Sequence, residues 1–449
     1  MAIQSFHGGT ALYDGKEITR DLPVKTVLPR GEMVYPLKQL RGEPASPKVE
    51  VGDHVLTGQM IAEAVGQDSA AVHASVSGDV VSIEDRTLAG GEKTRCIVIS
   101  NDGRYDEIVY PESRHISGLT PQTIIKAVRS AGVVESDSFT LRDGVSTADK
   151  LETEHPERID FIIANCMESA PYMTSDYRRI LENPMKVIYG LRILMKMFPK
   201  ARGILAVDER DREIIRTFRS VLKGETGIYI RRLSGRYPQG EEHLLVHTIT
   251  DRTVEEGKTA ADAGCMVFGV DTLVAINQAV IVHEPMITKL ITLSGDAFLK
   301  PQNYRVRIGM SIKELIERCG GFAVEPELLV NGDTMTGIPV DDRNVPVTKL
   351  TTGLIALRKD RFAKIGESAC IRCGSCIRVC PESLNPFLLY KDSFKDTPAR
   401  FKRHHGMRCI SCGLCSFVCP AGVPVADAVD KMKERVLLRT ETEKEAEIL

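Results

Sequence analysis

Tryptophan is absent from these 449 residues, and all aromatics together make up only 5% of them. That weighs against a surface built to stack sugars or bases. An excess of one charge is also missing. The 59 Lys and Arg against 61 Asp and Glu leave a net charge of −2, so no global attraction to nucleic acid or an anionic lipid surface arises, and no nucleic-acid partner is expected. Long hydrophobic runs are lacking too. The most apolar long segment, Gly264 to Met286, is broken by Asp271, Asn277, Gln278 and Glu284, and nothing reaches the ~18–20 residues that cross a bilayer. The opening Met1-Ala-Ile-Gln-Ser-Phe-His7 has no basic stretch followed by an apolar one, as a signal peptide would. The expectation is a cytoplasmic protein with no direct membrane span, whose membrane link runs through a partner. With 43% hydrophobic and 27% charged residues, the composition is that of a soluble globular chain, long enough for about two to four domains.

Cysteine is plentiful, and eight of the 12 are ordered. Cys370-Ile-Arg-Cys373-Gly-Ser-Cys376-Ile-Arg-Val-Cys380-Pro381 is followed by Cys409-Ile-Ser-Cys412-Gly-Leu-Cys415-Ser-Phe-Val-Cys419-Pro420. This is C-x2-C-x2-C-x3-C-P written twice, the ligand run of a two-cluster bacterial-type ferredoxin. Three thiolates two residues apart wrap one cluster from a tight loop; the fourth, before proline, points away to the other. One [4Fe–4S] cluster is therefore assigned Cys370, Cys373, Cys376 and Cys419, and the second Cys409, Cys412, Cys415 and Cys380. Gly374 and Gly413 sit where a Cβ would crowd the core or a positive φ is needed. Two other uses of these cysteines fit less well. Zinc sites pair two C-x2-C units per ion and do not call for the third Cys and the Cys-Pro. Disulfides need an oxidising compartment. Cys96, Cys166, Cys265 and Cys319 are scattered and read as small buried hydrophobes.

The rest of the chain changes period as it goes. After an arm with turn signals at Gly8-Gly9, Asp14-Gly15 and Pro23, short β-rich runs extend from Thr26 to about Ser100. Val49 to Ala64 alternates around Gly52-Asp53, and Val72-His73-Ala74-Ser75-Val76-Ser77-Gly78-Asp79-Val80-Val81 reads as a second hairpin. These runs resemble the biotinyl/lipoyl-like barrel-sandwich fold, but Ala74 and Ser75 stand where a carrier domain needs its acceptor lysine; His73 reads as a surface or turn histidine. Beyond the polar linker Tyr105 to Gly118, strands at Ile159–Asn165, Gly203–Val207, Gly227–Arg231 and Cys265–Val270 alternate with helices, one divided at Pro184. That predicts a parallel α/β sheet with any ligand at its C-terminal strand ends. From Ile287 two strands, a helix opened by Ser311 with Glu314 in the capping-box position, Gly320-Gly321 and a further strand read as a β-grasp unit. Tyr237-Pro238-Gln239-Gly240 reads as an ordinary turn, His404-His405 as a solvated basic loop, and Ala426 to Leu449 as one charged helix.

This order resembles the C subunit of the Rnf complex, the ion-translocating ferredoxin:NAD⁺ oxidoreductase. The likeness rests on Phe6-His7-Gly8-Gly9, Val72 to Gly78, Pro171-Tyr172-Met173-Thr174-Ser175-Asp176, Tyr237-Pro238-Gln239-Gly240-Glu241, Arg305-Val306-Arg307-Ile308-Gly309 and the cysteine runs. It implies a multidomain α/β protein. Residues 1–25 would be an N-terminal arm and 26–115 a barrel-sandwich hybrid (lipoyl-like) β domain. Residues 116–285 would be a Rossmann-like α/β domain similar to the complex I flavoprotein, and 286–358 a β-grasp (SLBB-type) domain. Residues 359–425 would be a two-cluster ferredoxin-like helical domain, and 426–449 a C-terminal helix. It further implies a peripheral electron-transfer subunit of a translocase/oxidoreductase at the cytoplasmic face of the cell membrane. Its partners would be membrane subunits and a soluble redox partner, ferredoxin or NADH. An alternative is a flavin-less iron–sulfur adaptor whose α/β domain is only a scaffold.

In that family a G-x-G-G-A-x-F-P loop brings backbone N–H groups to the flavin phosphate. Here the text is Val133-Val134-Glu135-Ser136-Asp137-Ser138-Phe139-Thr140-Leu141, with two carboxylates and no glycine. Of the second flavin-side motif, N-G-A-E-C-E-P-Y, Asn165, Glu168, Pro171 and Tyr172 persist, while Cys166 replaces a glycine and Ala170 the second acid. Asn165, Glu168 and Tyr172 are the candidate FMN contacts. The lost glycines predict that FMN binds poorly or not at all, and they put NAD(H) binding in question with it.

Overall fold

The computed structural model describes residues 4–136, 144–360 and 368–448, with side chains only as far as 439. Asp137 to Leu141 of the altered loop, and residues 361–367 ahead of the first cysteine run, lie outside them.

Alternating strands and helices in the middle of the chain give a four-stranded, all-parallel sheet. Its order is Ile228–Leu233, Arg202–Asp208, Phe161–Cys166, Cys265–Gly269. Parallel strands are covered on both faces, so they read as near-continuous apolar runs; Ile162, Ile163, Leu205 and Phe268 are fully buried. Helices Ser175–Glu182 and Pro184–Met197 are separate, because Pro184 lacks the N–H that would continue the first. Gly190 lets the second helix approach the backbone of Leu273 in helix Val270–Asn277, where a Cβ would collide. Strand order reverses between Phe161–Cys166 and Cys265–Gly269. A crevice opens at this switch point beyond the strands' C-terminal ends, the place where open α/β sheets take ligands.

The β-rich N-terminal stretch is a two-sheet sandwich, and one expectation about it fails. Val72–His73 and Gly78–Thr87 do not pair as a hairpin. The first pairs with Met60–Glu63, the second with Lys93–Asn101 and His54–Val55. The chain crosses between sheets at Ser77-Gly78, where Gly78 has φ +153 and no room for a Cβ against Ser100. His73 is buried rather than superficial, and burial together with the nearby Lys349 cation pushes its pKa down to about 3.

The β-grasp unit contributes five strands to a six-stranded mixed sheet, and Lys25–Thr26 is the sixth, at the edge and parallel to Gln302–Arg307. Its core is continuous with that of the sandwich: Met33, Tyr35, Val55 and Ile97 share one cluster with Ile291, Leu293, Ile312 and Leu354. Ser311 caps helix Ile312–Arg318 as expected. Glu314 does not close the capping box; its carboxylate turns to the backbone N–H groups of Arg30 and Gly31, tying the two units together. The last unit is helical, with Pro386–Phe394, Pro398–Arg403 and the long Val425–Ile448 packed around Leu389, Phe401, Val429 and Met432. Among the described residues no helix is long and apolar enough to cross a membrane. Cys96, Cys166, Cys265 and Cys319 are all buried.

Candidate functional site

The two cysteine runs fold alike. In each, the residue before the second Cys (Arg372, φ 57; Ser411, φ 55) and the glycine after it (Gly374, φ 74; Gly413, φ 76) have left-handed backbone. This rolls three thiols around the inside of a tight loop, which leads into a short helix, Ser375–Val379 or Leu414–Phe417. The thiols influence one another in two sets. Burial and then Cys370 and Cys373 raise the pKa of Cys376. In the second run burial acts first and neighbouring thiols next: Cys409 is pushed up to about 12 by burial, Asp430 and Cys380, while Cys412 and Cys415 are raised by burial with Cys409 and Cys380. Cys380 acts on Cys409, Cys412 and Cys415 and is itself raised by burial, Glu382 and Cys376, so it neighbours thiols of both runs. Cys419 is half-buried on the helical core. Thiols that oppose each other's ionisation in a buried loop become thiolates only against a cationic centre. Among the described residues no three Cys, His, Asp or Glu side chains are grouped closely enough to hold a single metal ion.

The surroundings of the two loops differ. Cys370 and Cys373 are exposed, and Ile371 is 64% exposed. Arg378 folds back to donate to the Cys373 carbonyl and to Ser375 Oγ, both at 3.1 Å. Arg408 pairs instead with Glu382 at 3.0 Å. The second loop is covered. Tyr237, 1% exposed, donates its hydroxyl to the Cys412 carbonyl at 2.9 Å and packs with Val379, Cys412 and Leu414. The Tyr237–Gly240 stretch is therefore no ordinary turn; nothing in its own sequence shows a contact 175 residues away. His404 is not merely solvated either, since its Nδ1 lies 2.5 Å from the buried Asp392 carboxylate.

The switch-point crevice is lined by Ser136, Asn165, Glu168, Asp176, Asp271 and Lys289 among others, and its cavity volume is about 50 Å³. Two helices begin at its walls, and the chain's own carboxylates occupy both N-termini. Glu168 accepts from the N–H groups of Asp176 (2.9 Å) and Tyr177 (3.0 Å) at the start of Ser175–Glu182. Glu135 accepts from Gly269 N–H (2.8 Å) at the start of Val270–Asn277. The floor is a buried ion network. Lys289 Nζ lies 2.5 Å from Asp271 and 2.6 Å from Ser136 Oγ, and Arg179 lies 2.7 Å from the same Asp271. Burial works to raise the Asp271 pKa, but these two cations outweigh it and hold the carboxyl below its ordinary value. Asp176 goes the other way, raised well above the usual range by burial and then by Glu168 and Asp271. Asn165 is turned inward, donating to the Gly240 carbonyl at 2.8 Å and accepting from Met167 N–H. Tyr172 does not line the crevice; its ring packs edge-on against Tyr13 of the arm and its N–H donates to the Asp14 carbonyl. The structure thus brings Asn165 and Glu168 to the crevice and leaves Tyr172 outside it. It adds Lys289, Asp271 and Arg179, whose ion network spans elements far apart in the chain and left no signal in the local text.

Known proteins share this arrangement. Residues 4–104 match the RnfC barrel sandwich hybrid domain, 128–278 the Nuo51 FMN-binding domain, 290–339 the SLBB domain and 363–423 the 4Fe-4S dicluster domain. The C subunit of the proton-translocating ferredoxin:NAD(+) oxidoreductase complex of Clostridium ljungdahlii is 35% identical over 90% of this chain and 88% of its own length. The chain belongs to the RnfC family. The C subunit of the Na(+)-translocating ferredoxin:NAD(+) oxidoreductase complex of Acetobacterium woodii is 32% identical over 85% of this chain and 86% of its own. Against the C subunit of the ion-translocating oxidoreductase complex of Vibrio cholerae the identity is 30%, and the chain spans about half (49%) of that protein.

Within this member of the RnfC family the two kinds of cofactor fit differently. The 4Fe-4S dicluster domain carries two [4Fe–4S] clusters, and the grouped thiols suit them chemically. The described residues of the crevice do not suit FMN. The space between its described walls is small, about 50 Å³. A phosphate would also meet two carboxylates at the helix N-termini that would otherwise attract it.

Proposed function

We propose that this protein is a peripheral electron-transfer subunit of an Rnf-type ion-translocating complex, passing single electrons through its two [4Fe–4S] clusters. One cluster is held by Cys370, Cys373, Cys376 and Cys419, the other by Cys409, Cys412, Cys415 and Cys380. What supports this assignment is the doubled C-x2-C-x2-C-x3-C-P spacing, which lies within the stretch that matches a 4Fe-4S dicluster domain. That spacing is the one in which the fourth cysteine of each run ligates the other cluster. The clusters supply the redox chemistry; the chain supplies thiolates, N–H donors, burial and charge, which set the potentials. The α/β unit serves as scaffold, its crevice closed by Glu135, Glu168 and the Lys289–Asp271–Arg179 network. Electrons accordingly arrive from a soluble redox protein such as ferredoxin and leave to membrane subunits, at the cytoplasmic face and without insertion of this chain in the lipid.

The test is anaerobic purification with iron, acid-labile sulfide and flavin quantified, followed by dithionite reduction monitored by electron paramagnetic resonance. About eight irons and eight sulfides per chain, two reducible clusters and no stoichiometric flavin are expected. Stoichiometric zinc would overturn the cluster reading. FMN retained at one per chain and bleached by NADH would overturn the scaffold reading.

A further inference from the structure

Three segments remote from one another in sequence meet on the second cysteine loop and on Cys380. The first is the N-terminal strap. Gly9 N–H donates to the Val379 carbonyl at 2.9 Å. Gly8, at φ +74, lies so close that a Cβ would stand 2.6 Å from the Cys380 carbonyl oxygen. The strap is itself held by Tyr237: Thr10 and Tyr237 exchange both backbone hydrogen bonds (3.0 and 2.9 Å), and Arg236 donates to the Gly9 carbonyl at 2.9 Å. The second segment is Tyr237, whose buried hydroxyl reaches the Cys412 carbonyl. The third is a turn of the β-grasp unit. Asp333, fully buried, accepts from the N–H groups of Met335 (2.6 Å) and Thr336 (3.1 Å), which fixes the turn so that a Cβ on Gly413 would stand 2.7 Å from the Met335 carbonyl. Nothing comparable among the described residues covers Cys370 and Cys373, which face solvent.

We infer that the strap Phe6–Thr10, Tyr237 and the Asp333–Met335 turn form a three-part seal over the Cys380/Cys409/Cys412/Cys415 cluster. The two clusters are thereby made inequivalent, one sealed and one open to an external partner. The inference rests on the ligand assignment proposed above. Tyr237 acts as a positioning residue, holding the Cys412 backbone through its hydroxyl. Two consequences follow from sealing. Of its four cysteines Cys412 is buried and Cys380, Cys409 and Cys415 are half-buried, against the exposed Cys370 and Cys373, so water, chelators and oxidants reach this cluster more slowly while the strap and the turn stay closed. Adding an electron to that cluster puts negative charge into a low-dielectric pocket, whereas the outer cluster has solvent and Arg378 beside its loop. The sealed cluster therefore takes the more negative potential.

The experiment follows iron release from the anaerobic full-length protein into excess bathophenanthroline disulfonate, with a redox titration read by electron paramagnetic resonance. In the wild type iron should leave in two equal phases. Cys373→Ser should abolish the fast phase alone. Tyr237→Phe keeps the ring and removes the hydroxyl, and should speed the slow phase by about fivefold, the order one buried hydrogen bond gives. Gly8→Ala should speed it further, and neither change should move the fast phase. The cluster absent from Cys373→Ser should be the one with the higher potential in the wild type. Release in a single phase, an unchanged slow phase in both seal variants, or a slow phase that belongs to the Cys373 cluster would overturn the seal while leaving the electron-transfer reading intact. Protein purified without the eight irons would overturn the ligand assignment and the seal with it.

Discussion

The cysteine unit and the switch-point crevice have treated their polar residues in opposite ways. In the crevice, groups at ligand positions have found partners within the chain. Glu168 and Glu135 accept backbone N–H groups at two helix N-termini, Asn165 bridges to Gly240, and Lys289 is neutralised by Asp271. A carboxylate or amide can be absorbed in this way because every helix start offers unpaired donors. The thiols of the two cysteine runs cannot. Their strong interaction as a group is with a cationic centre, and without one burial and neighbouring thiols raise the cost of ionising Cys376, Cys409, Cys412 and Cys415. Carboxylates and amides around a crevice can thus be absorbed into the scaffold, whereas thiols left without their metal stay reactive.

The largest effect that could break this contrast is on iron. Cys380→Ser should remove the cluster of the second run and leave that of the first, lowering iron from about eight to about four per chain. Loss of the first-run cluster instead, measured in combination with Cys373→Ser, would show that ligation does not cross. Next is the crevice floor. Lys289→Met removes one partner of a buried ion pair and should destabilise the protein by about 3 kcal/mol, seen as a lowered unfolding midpoint with iron content unchanged. A stability within error of wild type would mean that the network is not structural.

Flavin affinity gives the third test. Wild-type protein titrated into FMN should leave its fluorescence unquenched up to about 10 μM, a ceiling of roughly 7 kcal/mol of binding free energy. Glu135→Gly combined with Glu168→Gln frees both helix starts and should bring quenching into that range. Tight binding by the wild type would remove the contrast altogether.

The smallest effect concerns Glu241, which caps helix Glu242–Thr250. Burial raises its pKa to about 7, against the pull of nearby His243 and two backbone N–H groups. The folded protein thus keeps a proton that the unfolded chain releases above its ordinary value near 4.5. Stability from this group is full below that value and is lost as pH rises toward 7, by up to about 1.4 kcal/mol per pH unit. Glu241→Gln lacks this slope, so denaturant midpoints of variant and wild type should draw together, or cross, between pH 5 and 7. A constant difference across that range would count against the raised pKa.

Much of this was legible in the text. The spacing of the eight cysteines, the glycines after Cys373 and Cys412, and the proline that divides Ser175–Glu182 from Pro184–Met197 are local constraints. A tight cluster loop, a left-handed residue and a missing N–H each act within a few residues. Strand–helix alternation announced the parallel sheet for the same reason, since periodicity is read within one element. The loss of glycine before Phe139 was legible too, as an expectation of weak FMN binding.

Tertiary structure alone decided the rest. Tyr237 looked like part of a turn until the fold set its hydroxyl on Cys412, and His73 like a surface residue until two sheets closed over it. Tyr172 matched a ligand motif but was drawn off by Tyr13 of the arm, and Glu314 left its capping box for Arg30 and Gly31. In each case the deciding partner lies far away in sequence. Short-range chemistry can fix which conformations a segment adopts, but which donor a carboxylate meets, and which thiol loop is sealed from water, depends on how separately folded units come to rest against one another.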